Sequence, residues 1–326
     1  MPAFLFDSDM GRNIDAALAL AVLSNLGPKG RLIAVGVDTS SLEAAQFCDA
    51  VARFYAGDAP ARFARPESPI GFLEDSPKMA SAPMLTVPLG MKKPDGSPLF
   101  RTGVKDVNDT ADVRVLFRNV LRGQKDGEAV AVLAGPATDF ARTLAVNEGK
   151  DAIAAKAGLL VVAAGSFADG AADLRIDLRI DPRIKIDIAS ARQLFAQWPG
   201  PIVAAGMEVG NALPYPGSSI ETDFAWSPAH PIVEAYRAYR RMPYDAPAQA
   251  MAAALYAANP TADYFRLSDR GTIEVSADGR TKFTRSENGS HRYLIVDPAQ
   301  EDRVRKAYVE AASARPSPPM GRGFRG

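Results

Sequence analysis

Apolar and polar positions change rhythm several times along this chain, and each change predicts an element. Ala3-Phe4-Leu5-Phe6 is a short apolar run that ends in Asp7-Ser8-Asp9-Met10-Gly11. The stretch Ala16-Ala17-Leu18-Ala19-Leu20-Ala21-Val22-Leu23 is a strong helix former. Residues 32–37 form a buried-strand run, and residues 42–55 read as a helix. Strand followed by helix, twice over, predicts a parallel sheet covered by helices. Residues 57–105 are rich in Pro and Gly without a clear period, which predicts irregular, mostly surface structure. Alternation then resumes, with helices over 111–121, 138–146 and 189–197 and strands over 129–134, 159–164 and 201–205.

Residues 174–187 alternate apolar and charged side chains with period two, which predicts an extended amphipathic segment bent or edged at Pro182. Helices are expected over 232–241 and 248–258. Asp278-Gly279 and Asn288-Gly289 are hairpin signals. A charged helix over 300–312 closes the fold, and the Pro-, Gly- and Arg-rich residues 314–326 read as a disordered tail. No linker divides 1–313. The expectation is one α/β domain: a mostly parallel central sheet, helices on both faces, and a C-terminal β-hairpin region.

Composition narrows the function classes. With 38 basic and 38 acidic residues the net charge is zero, which removes the long-range pull toward nucleic acid or an anionic membrane. The single cysteine, Cys48, excludes an internal disulfide and reads as a small buried hydrophobe. Two histidines and one cysteine argue against structural zinc. His230 reads as a surface or capping residue and His291 as structural. Apolar stretches of about ten residues are too short to span a bilayer, and the N-terminus has no signal-peptide pattern. The chain is expected to be cytoplasmic.

Ligands of open parallel sheets bind beyond the carboxyl ends of the strands. Asp7 and Asp9 stand at such an end, two apart, and in extended backbone would share a face. Gly11 permits a tight turn, and Asp15 starts a helix. Three converging carboxylates suit a hard cation such as Ca²⁺. Equally, Asp15 could cap its helix and the other two could simply end a strand.

The run Phe6-Asp7-Ser8-Asp9-Met10-Gly11-Arg12-Asn13-Ile14-Asp15-Ala16-Ala17-Leu18-Ala19-Leu20 resembles the N-terminal signature of inosine–uridine-type nucleoside hydrolases. That signature is Asp-x-Asp-Pro-Gly-x-Asp-Asp-Ala. Its one-residue-longer variant reads Asp-Thr-Asp-Met-Gly-Asn-Asp-Val-Asp-Asp-Ala. Three later segments fit in order. They are Leu133-Ala134-Gly135-Pro136-Ala137-Thr138, where the family has Gly-Pro-Leu-Thr-Asn; Trp198-Pro199-Gly200-Pro201-Ile202-Val203 with Glu208-Val209-Gly210; and Gly289-Ser290-His291-Arg292-Tyr293-Leu294. The resemblance covers roughly residues 3–296.

The resemblance implies a Rossmann-like core, hydrolysis of the N-glycosidic bond of ribonucleosides, and a homodimer or homotetramer. It also implies a Ca²⁺ ion, held by Asp carboxylates and one backbone carbonyl, that grips the ribose hydroxyls and the attacking water. On this chain Asp9 matches the general base and metal ligand, Asp7 is a further candidate ligand, and the Ala134 carbonyl matches the backbone ligand. Asp15 matches a ribose contact. Asn13, at an acidic position of the longer variant, joins the candidate substrate-binding residues. Asp181 and Arg183 stand where the family has a ribose-gripping Glu-x-Asn.

Two metal carboxylates are absent. Ala16 replaces one. The run Tyr244–Ala257 aligns without a gap with Tyr-x-Arg-Pro-Ser-Trp-Asp-Leu-Thr-Ala-Val-Leu-Tyr-Ala, which puts Gln249 at the Trp and Ala250 at the second metal Asp. A rival register makes Asp245 that ligand. Arg183 is placed to fill the vacated space and to neutralise Asp9 or Asp15. Calcium is therefore expected to bind weakly or not at all. Two readings follow: an N-riboside hydrolase with a weakened metal site, or a catalytically inactive homologue that binds a small ligand or partner.

Overall fold

The computed structural model describes residues 1–57, 68–167 and 180–316. Its strands are β1 (Ala3–Ser8), β2 (Arg31–Val37), β3 (Ile70–Phe72), β4 (Ala111–Asp112), β5 (Ala129–Ala134), β6 (Ala157–Val162), β7 (Ile202–Ala204), β8 (Arg266–Leu267), β9 (Gly271–Val275), β10 (Thr281–Arg285) and β11 (His291–Ile295). They form one sheet in the order β10-β9-β11-β7-β6-β5-β1-β2-β3-β4, with β8 pairing β11. All pairings from β11 through β7 to β4 are parallel, and β8, β9 and β10 supply the antiparallel end.

Every residue of β1 is buried, as both faces of the sheet are covered. Phe4 and Phe6 point into a core shared with the helices Ile14–Ser24, Leu42–Ala56 and Gln249–Ala258. Ala3 and Leu5 point into another, shared with Val113–Arg122, Thr138–Ala145 and Ile188–Gln197. The helix Ile14–Ser24 is buried from Ile14 to Leu23. A helix apolar on all sides belongs inside, and its alanines pack against the equally apolar Gln249–Ala258.

The sheet grows outward from β1 in one direction (β2, β3, β4) and from β5 in the other (β6, β7). The order therefore reverses between β1 and β5, which opens a crevice at their carboxyl ends. There the backbones nearly touch. A Cβ on Gly135 would lie 2.6 Å from the Asp9 nitrogen. Only glycine lets the turn after β5 sit against the turn after β1.

Several expectations change. Residues 182–187 do not continue a strand: Pro182–Ile186 is a short helix, with the Asp181 side chain accepting from the Arg183 amide as N-cap and Pro182 in its first turn. Residues 174–179 lie outside the described residues, as does most of the expected tail. Asn288-Gly289 closes no hairpin; β11 passes β10 and pairs parallel with β7. The Asp278-Gly279 hairpin does form between β9 and β10. The irregular stretch contains β3 and the helix Pro83–Gly90. Cys48 is buried. No helix among the described residues is long and apolar enough to cross a membrane.

His230 caps the helix Pro231–Tyr239, but it is 1% exposed and not a surface residue. Its Nδ1 accepts from the Ile232 amide at 3.2 Å, which places the ring proton on Nε2, facing the Tyr55 hydroxyl at 3.2 Å. Tyr55 in turn donates to the Ala312 carbonyl. Burial, among Phe54, Phe224 and Trp226, pulls the His230 pKa down to about 3. The unfolded chain therefore binds a proton near pH 6.5 that the folded chain refuses. Stability is present above that pH and falls as pH drops toward 3. From pH 7 to pH 5 this one residue should cost about 2 kcal/mol. His230→Asn keeps a capping acceptor and does not titrate. Denaturant unfolding at several pH values should show a shallower acid slope for it; an unchanged slope would refute the assignment.

Candidate functional site

The site is built where two helix N-termini meet the crevice. Asn13 is the N-cap of Ile14–Ser24, and Asp15 sits in its first turn. Asp15 is therefore not its own helix's cap. Its Oδ2 accepts from the Ala250 amide at 2.8 Å, at the start of Gln249–Ala258. An anion suits this place, because the unpaired amides and dipole of that second helix face it.

Arg183 comes from the short helix Pro182–Ile186 and is 5% exposed. Its guanidinium binds three elements at once. Nε donates to the Ala134 carbonyl at the end of β5 at 3.1 Å; one terminal nitrogen donates to Gln249 Oε1 at 2.6 Å; the other donates to Asp15 at 3.1 and 3.3 Å. Burial opposes the charge, but Asp15, Asp9 and Asp181 together hold the guanidinium protonated. Gln249 is fixed in turn, donating to Asp181 at 2.8 Å and to the Ala205 carbonyl at 3.0 Å. Asp181 also accepts from the Gly165 amide. Burial raises Asp181 while Arg183 and the Gln249 hydrogen bond pull it down.

Asp9 is 1% exposed. Neither of its oxygens has a hydrogen-bond partner among the described residues, and its nearest ion pair is Arg12 at 3.9 Å. Burial pushes its pKa up to about 7; Arg183 opposes the rise and Asp15 adds to it.

Beside this network lies a cleft of about 250 Å³, lined among others by Asn13, Asp15, Arg183, Tyr239, Tyr244 and Gln249. Three of the four expected substrate-binding residues thus face it. Asp181 does not: it is buried beneath, and its carboxylate holds Gly165, Arg183 and Gln249 in place. Asp9, the expected catalytic residue, does not line the cleft either. Tyr239 and Arg240 at its wall carried no motif that would have singled them out, whereas Tyr244 opens the run that aligns with the Tyr-x-Arg-Pro segment. Tyr244 stacks on Tyr236 with ring centroids 4.4 Å apart.

Asp7 separates from Asp9. It continues the Leu5 side of β1 and meets Asp38 and Asp139, with carboxylate oxygens of the three within 4.8 Å of one another. Asp9 lies beyond the last strand residue, so the strand alternation no longer applies to it. The group that Asp7 joins does not include Asp9. The two registers' candidate residues lie in different places. Asp245 is exposed and accepts from the Gly217 amide, whereas residue 250 lies at Asp15.

The calcium ion implied by the resemblance does not fit these residues. Ala16 and Ala250 are buried methyl groups, and the Ala134 carbonyl and the Asp15 carboxylate are both bonded to Arg183. A fixed guanidinium already supplies the positive charge there.

No family model matches the sequence, and no curated protein matches it. Solved structures do match. A plant nucleoside hydrolase superposes with a TM-score of 0.66 at 19% identity, over 96% of this chain and 99% of its own. A purine-preferring ribonucleoside hydrolase from Gardnerella vaginalis gives 0.66 at 15%, over 95% and 98%. The type III effector protein XopQ, solved with adenosine diphosphate ribose, gives 0.65 at 17%, over 96% and 92%. Over nearly its whole length, then, this chain has the nucleoside hydrolase fold.

Proposed function

We propose that this chain is a nucleoside hydrolase homologue that binds a nucleoside or related N-riboside in its cleft and has lost calcium-dependent hydrolysis. The observation that carries this reading is Arg183. In metal-assisted hydrolysis the ion lowers the pKa of a bound water and templates the substrate. A guanidinium has no open coordination position and cannot make hydroxide. It does supply charge, and with Asp15 and Asn13 it offers donors and acceptors suited to sugar hydroxyls.

The test is a melting series with ribose, inosine, uridine and adenosine diphosphate ribose, each with and without chelator, together with a hydrolysis assay. The last probe is included because one protein of this fold was solved with it. Stabilisation by at least one of these, unchanged by chelator, is expected, with hydrolysis of inosine and uridine very weak or absent. Robust, chelator-sensitive turnover would overturn the reading.

One observation favours a second reading, hydrolysis without metal: both Asp9 oxygens are unpartnered behind the cleft network, and burial pushes this carboxyl up to about 7, in the range where a general base works. On that reading Asp9→Ala removes whatever turnover exists. Turnover that survives Asp9→Ala would place the chemistry elsewhere.

A further inference from the structure

Three buried carboxylates lie outside the cleft network. Asp7 is the penultimate residue of β1, Asp38 follows the end of β2, and Asp139 stands in the first turn of the helix Thr138–Ala145. Because β2, β1 and β5 are neighbours in the sheet, three sequence-distant strand ends bring these side chains together. Each residue is fully buried.

None of the six carboxylate oxygens has a hydrogen-bond partner among the described residues. The backbone amides of Ser8 and Asp139 lie near enough to favour the charged forms of Asp7 and Asp38, but without hydrogen-bond geometry. Space is made for the group as well. A Cβ on Gly36 would lie 2.4 Å from Asp7 Oδ1, so that glycine leaves room for the carboxylate.

Charge balance is poor. After desolvation, each acid is held up chiefly by another of the three: Asp7 by Asp38, Asp38 by Asp139, and Asp139 by Asp7. Asp9, Asp75, Asp112 and Asp187 add to the negative field. The cations acting on Asp139 are both engaged elsewhere: Arg142 is bonded to Asp75 at 2.9 Å, and Arg114 is paired with Asp112. Buried carboxylates are normally paired, hydrogen-bonded or metal-bound.

We propose that Asp7, Asp38 and Asp139 hold a hard divalent cation of the calcium class, in a site distinct from the position occupied by Arg183. The donors are all carboxylate oxygens, the ligands such ions prefer. An ion about 2.4 Å from each oxygen keeps its donors within about 4.8 Å of one another, and these atoms meet that limit. The ion would pin β1, β2 and the start of the Thr138–Ala145 helix together under the crevice.

The experiment counts bound metal by plasma mass spectrometry after chelation and dialysis against calcium, magnesium or manganese, with a melting curve on each sample. The wild type should retain about one equivalent of at least one ion. Its melting temperature should rise by about 5 °C at a hundredfold excess over Kd. Asp38→Asn and Asp139→Asn should each lose both effects while keeping the native circular dichroism, and in chelator should melt no lower than wild type. Asp9→Asn should keep the ion. A wild type that binds none of the three ions at millimolar concentration overturns the proposal, as does metal that survives both Asp38→Asn and Asp139→Asn. Metal lost only in Asp9→Asn would place the ion in the cleft network, overturning this proposal and the calcium-free reading of the cleft together.

Discussion

Arg183→Met should lower stability by about 3–5 kcal/mol, the usual cost of stripping one partner from a buried ion pair. A melting temperature about 4–7 °C below wild type is expected at that cost. The substitution leaves Asp15 facing Asp9 and Asp181 without the guanidinium that binds it at 3.1 Å, and it unties the Ala134 carbonyl and Gln249 together. Its pH dependence separates charge from packing. Without Arg183, the folded-state pKa of Asp9, already about 7, moves further above its unfolded value. A carboxyl with a raised folded pKa stabilises the fold when protonated and loses that contribution as pH rises through the folded pKa. The penalty of Arg183→Met should therefore be larger at pH 8 than at pH 5. Arg183→Lys should fall between, since an ammonium keeps the charge but cannot fork to three elements. A loss under about 1 kcal/mol at pH 8 would mean that the guanidinium is not the counter-charge of this site.

The sheet and its helices were legible because β1, β2, β5, β6 and β7 are short apolar runs set between amphipathic or apolar helical stretches. That alanines stand at two acidic positions of the family pattern was also legible, at Ala16 and Ala250, and the expectation that Arg183 lies against Asp15 agrees with their 3.1 Å contact. The other partners of Arg183 were less accessible. That Arg183 would grip Ala134 and Gln249 as well as Asp15 depends on where a five-residue helix sits, and Ile-charged alternation around Pro182 looks like a strand in a window so short. The Asp7, Asp38 and Asp139 cluster was hidden for a different reason. Its members run from residue 7 to residue 139, and only the strand order β2-β1-β5 joins them. A usable signal was present, an acid at the end of three apolar strands or just beyond, but strand order is non-local. The misread Asn288-Gly289 turn is the same failure, since β11 finds its parallel partner β7 rather than its sequence neighbour β10.

The cleft can be asked directly whether it descends from a metal site. Changing Ala16→Asp, Arg183→Asn and Ala250→Asp together removes the guanidinium and restores two carboxylates beside Asp9, Asp15 and the Ala134 carbonyl. Made in an Asp38→Asn background, so that the deeper acidic cluster cannot answer for it, this variant should be less stable than its parent in chelator. Like charges in one buried place repel and must lose water. Calcium should then restore stability, because a ligand bound only by the folded state contributes RT ln(1 + [L]/Kd), about 2.7 kcal/mol at a hundredfold excess. The same background carrying Ala16→Asp and Ala250→Asp but keeping Arg183 should respond weakly, since the guanidinium still holds Asp15 and the Ala134 carbonyl. Asp245→Asn should change nothing in the response, as that carboxylate is exposed and serves the Gly217 amide. A calcium response that needs Asp245 would restore the rival register. A melting series with no response in the full variant would show that the backbone around Asp15 and residue 250 has closed on the guanidinium too tightly to readmit an ion.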